Sequence, residues 1–199
     1  MHRLLQENIN TVSNYSKMFR EITDRDRFYD YSVVDKHRKV LERFKGGKLI
    51  DIGCLNSPLG IIAQKMFHSA EITLLDFSPS IVEFLEKNTP FEIVLSDCRN
   101  TPFSDNTFDY VVAEEVIEHM EEPEALIKEA HRILKPGGTF VLSTPEGEVD
   151  NECGGGYHIW SFKLEDIKEM LAKYGDAEAE IIPRERRKGY ILGWLTKRS

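Results

Sequence analysis

Cysteine pairs, long apolar runs, an excess of positive charge and the usual glycine-rich phosphate loops are all missing from this chain of 199 residues. Its three cysteines, Cys54, Cys98 and Cys153, form no CxxC pair and are odd in number, which argues against a disulfide framework or a zinc knuckle and fits a reducing, cytoplasmic setting. No stretch approaches the roughly 20 apolar residues that span a bilayer. The start MHRLLQEN has no long apolar core, so a soluble protein with no membrane partner is expected. Lys and Arg number 26 against 34 Asp and Glu, a net charge of −8. That balance repels phosphate backbones and makes nucleic acid a disfavoured partner. Internal repeats and low-complexity tracts are also absent.

What is present suits one domain with a substantial core, since 41% of the residues are hydrophobic. From Glu42 onward short apolar runs alternate with amphipathic segments, the rhythm of a largely parallel sheet with crossover helices. Strands are predicted over 48–52, 71–75, 91–95, 108–113 and 139–143, with a late pair at 178–183 and 189–195. Only RERRK separates the last two, and a link that short joins antiparallel neighbours. One reversed strand is therefore expected at the end of the sheet. Helices carry their own punctuation. Ser32 with Asp35 makes a capping-box pattern before a helix that stops at Gly46-Gly47. Ser78-Pro79 precedes IVEFLEKN, and Pro123 opens a helix whose Leu126, Ile127, Ala130, Ile133 and Leu134 share a face until KPGG closes it. Ser161 is the expected cap of the helix that ends at Gly175. Residues 1–31 fit the rhythm less well, being polar with scattered aromatics (Tyr15, Phe19, Phe28, Tyr29, Tyr31). The expected division is an amino-terminal helical segment over 1–40, either a substrate lid or a packing appendage, and a main domain over 41–199.

The stretch 49–60 reads LIDIGCLNSPLG. It satisfies neither the GxGxxG of dinucleotide turns nor the Lys-Ser/Thr ending of a P-loop. It keeps an acid at the strand end, Asp51, then Gly53, then Ser57 as a cap for a helix that Pro58 begins. A helix amino terminus can meet a carboxylate and Asp51 can meet a cationic amine, so a cofactor with an amino-acid end is indicated. Asp76 ends the second strand 23 residues beyond Gly53, near the ~20-residue spacing at which a carboxylate reaches ribose hydroxyls. Asp97 ends the third strand, placed to take the exocyclic amine of adenine. Each of these aspartates can also be a plain turn or cap residue.

DIGC, LLDFS, SDCRNTPFSDNTFDYVV, EVIEHM and RILKPGGTFVLSTPE, in this order and spacing, resemble class I S-adenosylmethionine-dependent methyltransferases of the small-molecule type, over about residues 40–195. The resemblance implies an α/β, Rossmann-like, doubly wound sheet of seven strands in the order 3-2-1-4-5-7-6 with strand 7 antiparallel. It implies S-adenosylmethionine as cofactor, with Cys54, Phe77, Cys98 and Glu114 joining Asp51, Gly53, Asp76 and Asp97 along the binding edge. The family's first turn usually reads DxGxGxG, and here Leu55 and Ser57 occupy the second and third glycine positions. Leu55 either adds bulk where the methionine part of the cofactor passes or turns its side chain into the protein.

Glu115, Glu118 and His119 fall at i, i+3 and i+4 after the fourth strand, one face of a helical turn, and His158 follows the fifth strand toward the same crevice. This ExxEH with a later His is similar to the ubiquinone-biosynthesis O-methyltransferases and the small-RNA 2′-O-methyltransferases. The likeness implies a divalent metal (Mg or Mn) held by Glu115, Glu118, His119 and His158 beside the acceptor hydroxyl. Without metal, His119 or His158 can serve as general base, and an ordinary structural role remains a third reading. The glycine-rich loop 151–157, flanked by Tyr157, Trp160 and Phe162, is a candidate part of the acceptor site or a slack linker. The leading expectation is methyl transfer to an oxygen or nitrogen of a small molecule by a monomer or homodimer. The alternatives are an RNA 2′-O-methyltransferase, which the charge opposes, and a non-catalytic cofactor-binding or partner domain with a degenerate glycine turn.

Overall fold

Runs such as Leu49-Ile50-Asp51-Ile52 and Tyr110-Val111-Val112-Ala113 are apolar at nearly every position, the pattern of parallel strands covered on both faces. In a computed structural model, which describes residues 1–3, 10–14, 17, 31–56, 58–147, 157–184 and 187–199, they form the centre of a seven-stranded sheet. We number its strands β1 (Lys48–Ile52), β2 (Glu71–Asp76), β3 (Glu92–Leu95), β4 (Phe108–Glu114), β5 (Leu134–Pro145), β6 (Asp176–Arg184) and β7 (Arg187–Thr196). Their order across the sheet is 3-2-1-4-5-7-6, and β7 runs antiparallel to both of its neighbours. The expected topology and the expected reversed strand are both present.

Among the described residues the faces are covered by α1 (Tyr31–Val40), α2 (Pro58–Met66), α3 (Pro79–Asn88), α4 (Pro123–Ile133) and α5 (Leu164–Ala172). Because side chains alternate along a strand, β1 sends Ile50 and Ile52 into a core shared with α4 and α5, and Leu49 into a second core shared with α1, α2 and α3. Both cores are apolar, with Leu126, Ile133, Ile167 and Leu171 on one side and Val40, Leu59, Ala63 and Leu85 on the other buried. The Tyr110 hydroxyl donates to the Val40 carbonyl at 2.6 Å, tying α1 to the middle of the sheet. Among the described residues no helix is long and apolar enough to cross a membrane.

Several helix ends differ from expectation. α1 already includes Ser32 and stops at Val40, before Gly46-Gly47. α4 ends at Ile133 and KPGG belongs to β5, where it leads the strand in rather than closing the helix. Lys197 supplies the closing contacts, its ammonium donating to the His131 and Leu134 carbonyls at 2.8 Å each. Ser161 does not cap α5. It pairs with His2 in a short antiparallel bridge (His2–Arg3 with Trp160–Ser161), and Lys163 takes the cap position, its N–H donating to Asp166 at 2.9 Å. Ser78 sits at the amino end of α3 as expected, but its hydroxyl meets Ser80 instead of the helix backbone. Tyr15, Phe19, Phe28, Tyr29, the cap at Ser57 and the loop 151–156 lie outside the described residues.

Gly175, between α5 and β6, is required by packing. A Cβ there would stand 2.3 Å from the Thr196 carbonyl oxygen of β7, and backbone cannot move aside cheaply. Gly175→Ala is therefore expected to lower stability by about 1–3 kcal/mol in chemical denaturation; an unchanged midpoint would show that the turn is looser than described.

Candidate functional site

The strands β1, β2, β3 and β4 all end at one edge of the sheet, where a cavity of about 600 Å³ opens. β1 delivers Asp51 to its wall, β2 Asp76 and β3 Asp97, while β4 supplies Glu114. Gly53 and Cys54 follow Asp51 on the wall, as Phe77 follows Asp76 and Cys98 follows Asp97. All eight residues singled out in the sequence for a cofactor thus share this cavity.

The first turn works without a run of glycines. Gly53 has φ +70°, and a Cβ there would come 2.5 Å from a Val116 methyl, so no other residue fits. Leu55 takes φ +48°, the left-handed conformation that a glycine adopts freely and a leucine adopts at a cost of about 1–2 kcal/mol. Its N–H points at Asp76 Oδ2 (3.4 Å), and its side chain packs against the α1–α3 core while also forming part of the cavity wall. Asp76 further accepts the Ser78 N–H at 2.9 Å. Burial outweighs these two donors and lifts the Asp76 carboxyl up to about 6. Asp51 is raised well above the carboxylate range, first by burial and then by the charges of Glu114 and Asp76, with Lys36 opposing. Asp97 is different: both its oxygens are held by the Arg99 guanidinium at 2.6–3.0 Å, and this partner keeps its carboxyl below the usual range. Burial pushes the Cys98 thiol up to about 12 and raises Cys54 as well, so neither is a thiolate at neutral pH.

A lysine and a histidine on α1 were invisible in the sequence as site residues. Lys36 is 6% exposed and reaches Glu115 at 3.5 Å, Glu114 at 3.9 Å and the Ser143 hydroxyl at 3.4 Å, with its ammonium 4.4 Å from the centre of the Tyr190 ring. His37 Nδ1 lies 2.7 Å from Glu114 Oε2. The charges of Lys36 and His37, with the bond from His37, hold the Glu114 carboxyl low in spite of its burial. Glu114 Oε1 is buried and has no hydrogen-bond partner among the described residues. In sequence KHRK shows no sign of which residues turn inward; the burial of Lys36 and His37 and their contacts with Glu114 show that the first two do.

The ExxEH face forms only in part. Residues Ile117–His119 make one 3₁₀ turn, and Glu118, His119 and His158 bring one ligand atom each within 4.8 Å of one another. Glu115 does not join them. It sits at φ +55°, accepts from the Ser143 hydroxyl at 2.8 Å and faces Lys36 instead. An i, i+3, i+4 face needs continuous helix, and the left-handed residue at 115 breaks it. Glu118 is 1% exposed, and both its carboxylate oxygens lack a hydrogen-bond partner among the described residues. Burial and the nearby Glu115 charge raise its carboxyl well above the usual range. His119 Nδ1 lies 3.0 Å from the Tyr157 carbonyl, which can only accept, so the neutral ring carries its proton on Nδ1 and its lone pair on Nε2. Burial and the neighbouring His158 bring the His119 pKa down to about 4, against the pull of that carbonyl, and burial lowers His158 too. Both imidazoles are therefore neutral at pH 7. His119 lines the cavity, whereas Glu118 and His158 do not.

The raised acids give a signed pH prediction. Between about pH 6 and its unfolded value of 3.8, Asp76 holds a proton in the folded state that the unfolded chain lacks, so acidification through this window favours folding. The melting temperature of the ligand-free protein is expected to rise as pH falls from 7.5 to 5.5, and to rise less in Asp76→Asn. A steady fall over the same range would mean that Asp76 is solvated.

Residues 50–142 match the methyltransferase-domain family. The demethylmenaquinone methyltransferase of Staphylococcus carnosus is 32% identical over 180 residues, covering 87% of this chain and 72% of that protein. The demethylmenaquinone methyltransferase of Staphylococcus epidermidis is 30% identical over 143 residues, or 68% of this chain; the match spans 59% of the relative's own length. Among solved structures, the 1,6-didemethyltoxoflavin-N1-methyltransferase of Burkholderia thailandensis shares the fold, with a TM-score of 0.75 and 14% identity over all of this chain and 94% of that one.

Proposed function

The chain belongs to the class I S-adenosylmethionine-dependent methyltransferases, and from that premise we propose that it transfers a methyl group from S-adenosylmethionine to a small hydroxylated aromatic acceptor of the reduced-quinone class. The observation that carries the reading is the convergence of Asp51, Asp76, Asp97 and Glu114 on one cavity edge beside Gly53. The fit to the cofactor is chemical. Asp51 is destabilised as an anion by burial and then by its acidic neighbours, and Glu114 keeps a buried oxygen without a partner among the described residues; both conditions are relieved by a cation. Asp51 and Glu114 would hold the ammonium of the methionine part, Asp76 the ribose hydroxyls, and Asp97 the adenine amine in exchange for part of its pairing with Arg99.

Bound S-adenosylmethionine supplies a methyl already activated by its sulfonium. The protein's remaining tasks are alignment and removal of the acceptor's proton. His119 is suited to the second, because it is neutral at pH 7 and its tautomer places the lone pair on Nε2. Removing a phenolic proton raises electron density on the acceptor oxygen and on the ring carbons beside it. Val12, Val116 and Met120 stand near His119 on the cavity wall and offer an apolar seat for the ring. The acceptor class follows the demethylmenaquinone methyltransferases that this chain resembles.

Calorimetry with S-adenosylmethionine is expected to show saturable binding, weakened at least tenfold in Glu114→Gln and in Asp76→Ala. Each substitution removes a charged hydrogen bond of about 1.5–3 kcal/mol. The absence of any thermal stabilisation at millimolar cofactor would overturn the reading in favour of a non-catalytic domain.

A second reading is favoured by one observation, the buried carboxyl group of Glu118, which has no hydrogen-bond partner among the described residues and lies close to two neutral imidazoles. Glu118, His119 and His158 form a set suited to a divalent transition ion, and the Tyr157 carbonyl orients His119 as an outer partner orients a ligand. In that reading Glu118, His158 and Nε2 of His119 would hold the ion, which would supply Lewis-acid activation of the acceptor oxygen. Manganese binding followed by electron paramagnetic resonance, lost in Glu118→Gln, would support it; a spectrum of free aqueous ion at stoichiometric protein would leave His119 as the base.

A further inference from the structure

Residues 10–14 lie far in sequence from the strand-end motifs and the histidines, yet Asn10 reaches the backbone beside both His119 and His158. Its side-chain Nδ2 donates two hydrogen bonds, one to the His119 carbonyl at 2.9 Å and one to the Tyr157 carbonyl at 2.8 Å. The acceptors belong to two segments 38 residues apart, the 3₁₀ turn after β4 and the stretch leading to His158. Those segments are joined directly as well, through the Ile159 N–H donating to the Glu118 carbonyl at 2.8 Å. The Tyr157 carbonyl thus receives both the Asn10 amide and the His119 Nδ1–H, one donor for each of its lone pairs. Asn10, Thr11 and Val12 also line the cavity next to His119.

We propose that Asn10 is a positioning residue: its amide clamps the His119 and Tyr157 carbonyls together and thereby fixes the His119 ring in the Nδ1–H tautomer, with Nε2 directed to the reaction. The residue acts through His119, whose carbonyl and whose ring partner it holds. Three features of the geometry argue for this role. A single amide nitrogen serving two carbonyls sets the distance between them, which neither contact alone would do. The shared Tyr157 oxygen is the group that dictates the tautomer, so anything that holds that oxygen in place also holds the proton on Nδ1. The clamp is part-buried and short, which a solvated asparagine does not need. Its catalytic meaning rests on the methyltransferase reading, but the clamp itself does not.

The test is spectroscopic and uses the full chain. In the unaltered protein labelled with 15N-asparagine, the side-chain amide protons of Asn10 are expected to exchange with solvent at least tenfold more slowly than those of an exposed asparagine. With 15N-histidine, assigned by comparison with His119→Gln, the two-bond proton–nitrogen spectrum is expected to show His119 as a single Nδ1–H tautomer. Asn10→Asp keeps the size of the side chain and removes both donors, and it is expected to yield a mixture of tautomers. An unchanged His119 spectrum in folded Asn10→Asp would overturn the proposal. Should that variant fail to fold, solvent-like exchange of the Asn10 amide in the unaltered protein would overturn it equally. Loss of cofactor binding by the unaltered protein would instead count against the methyltransferase reading and leave the clamp standing.

Discussion

Buried like charge at the carboxyl edge of the sheet is the constraint on which the rest depends. Asp51, Asp76 and Glu114 end three adjacent strands, and the parallel register leaves them no way to avoid one another. Lys36 and His37 offset part of this charge from α1, and Tyr190 receives the Lys36 ammonium on its ring. The offset is incomplete. Asp51 remains pushed toward its neutral form while Glu114 stays ionised, so the edge is acceptor-rich and short of cations. An edge in that condition gains more from a positively charged guest than from further packing, which is the sense in which stability is given up for binding.

The same edge explains why local strain gathers there. Leu55 and Glu115 are both non-glycine residues with positive φ, and both lie on the cavity wall. Each is held by partners that outweigh its own preference: Leu55 by the core beneath and Asp76 beside it, Glu115 by its N–H to the Ser143 carbonyl at 2.9 Å and by the Ser143 hydroxyl. Strain sustained in this way is typical of functional surfaces. The twist at Glu115 also turns its carboxylate toward Lys36 and Ser143 and out of the set that Glu118 forms with the two histidines.

The sheet was legible because its central strands are buried on both faces and therefore nearly uniform in character, and because RERRK is too short for anything but a hairpin. The strand-end aspartates were legible for a related reason: an acid closing an apolar run stands out. Helix ends were harder. KPGG looks like a stop signal, yet the stop comes from Lys197, 63 residues beyond Leu134 in sequence, and Ser161 looks like a cap while its backbone is committed to His2. Lys36 and His37 were hidden by their surroundings, since a basic, amphipathic helix shows which face is polar but not which polar residues reach inward. Asn10 was beyond any local signal, because its meaning lies entirely in which carbonyls tertiary folding brings to it.

Leu55 carries a lesson for searches keyed to glycine counts. What the first turn demands is a sign of φ, and a branched aliphatic residue satisfies it here once the neighbouring core accepts its side chain. Pattern scans that require three glycines would pass over chains built this way, whereas a scan keyed to backbone dihedrals would retain them.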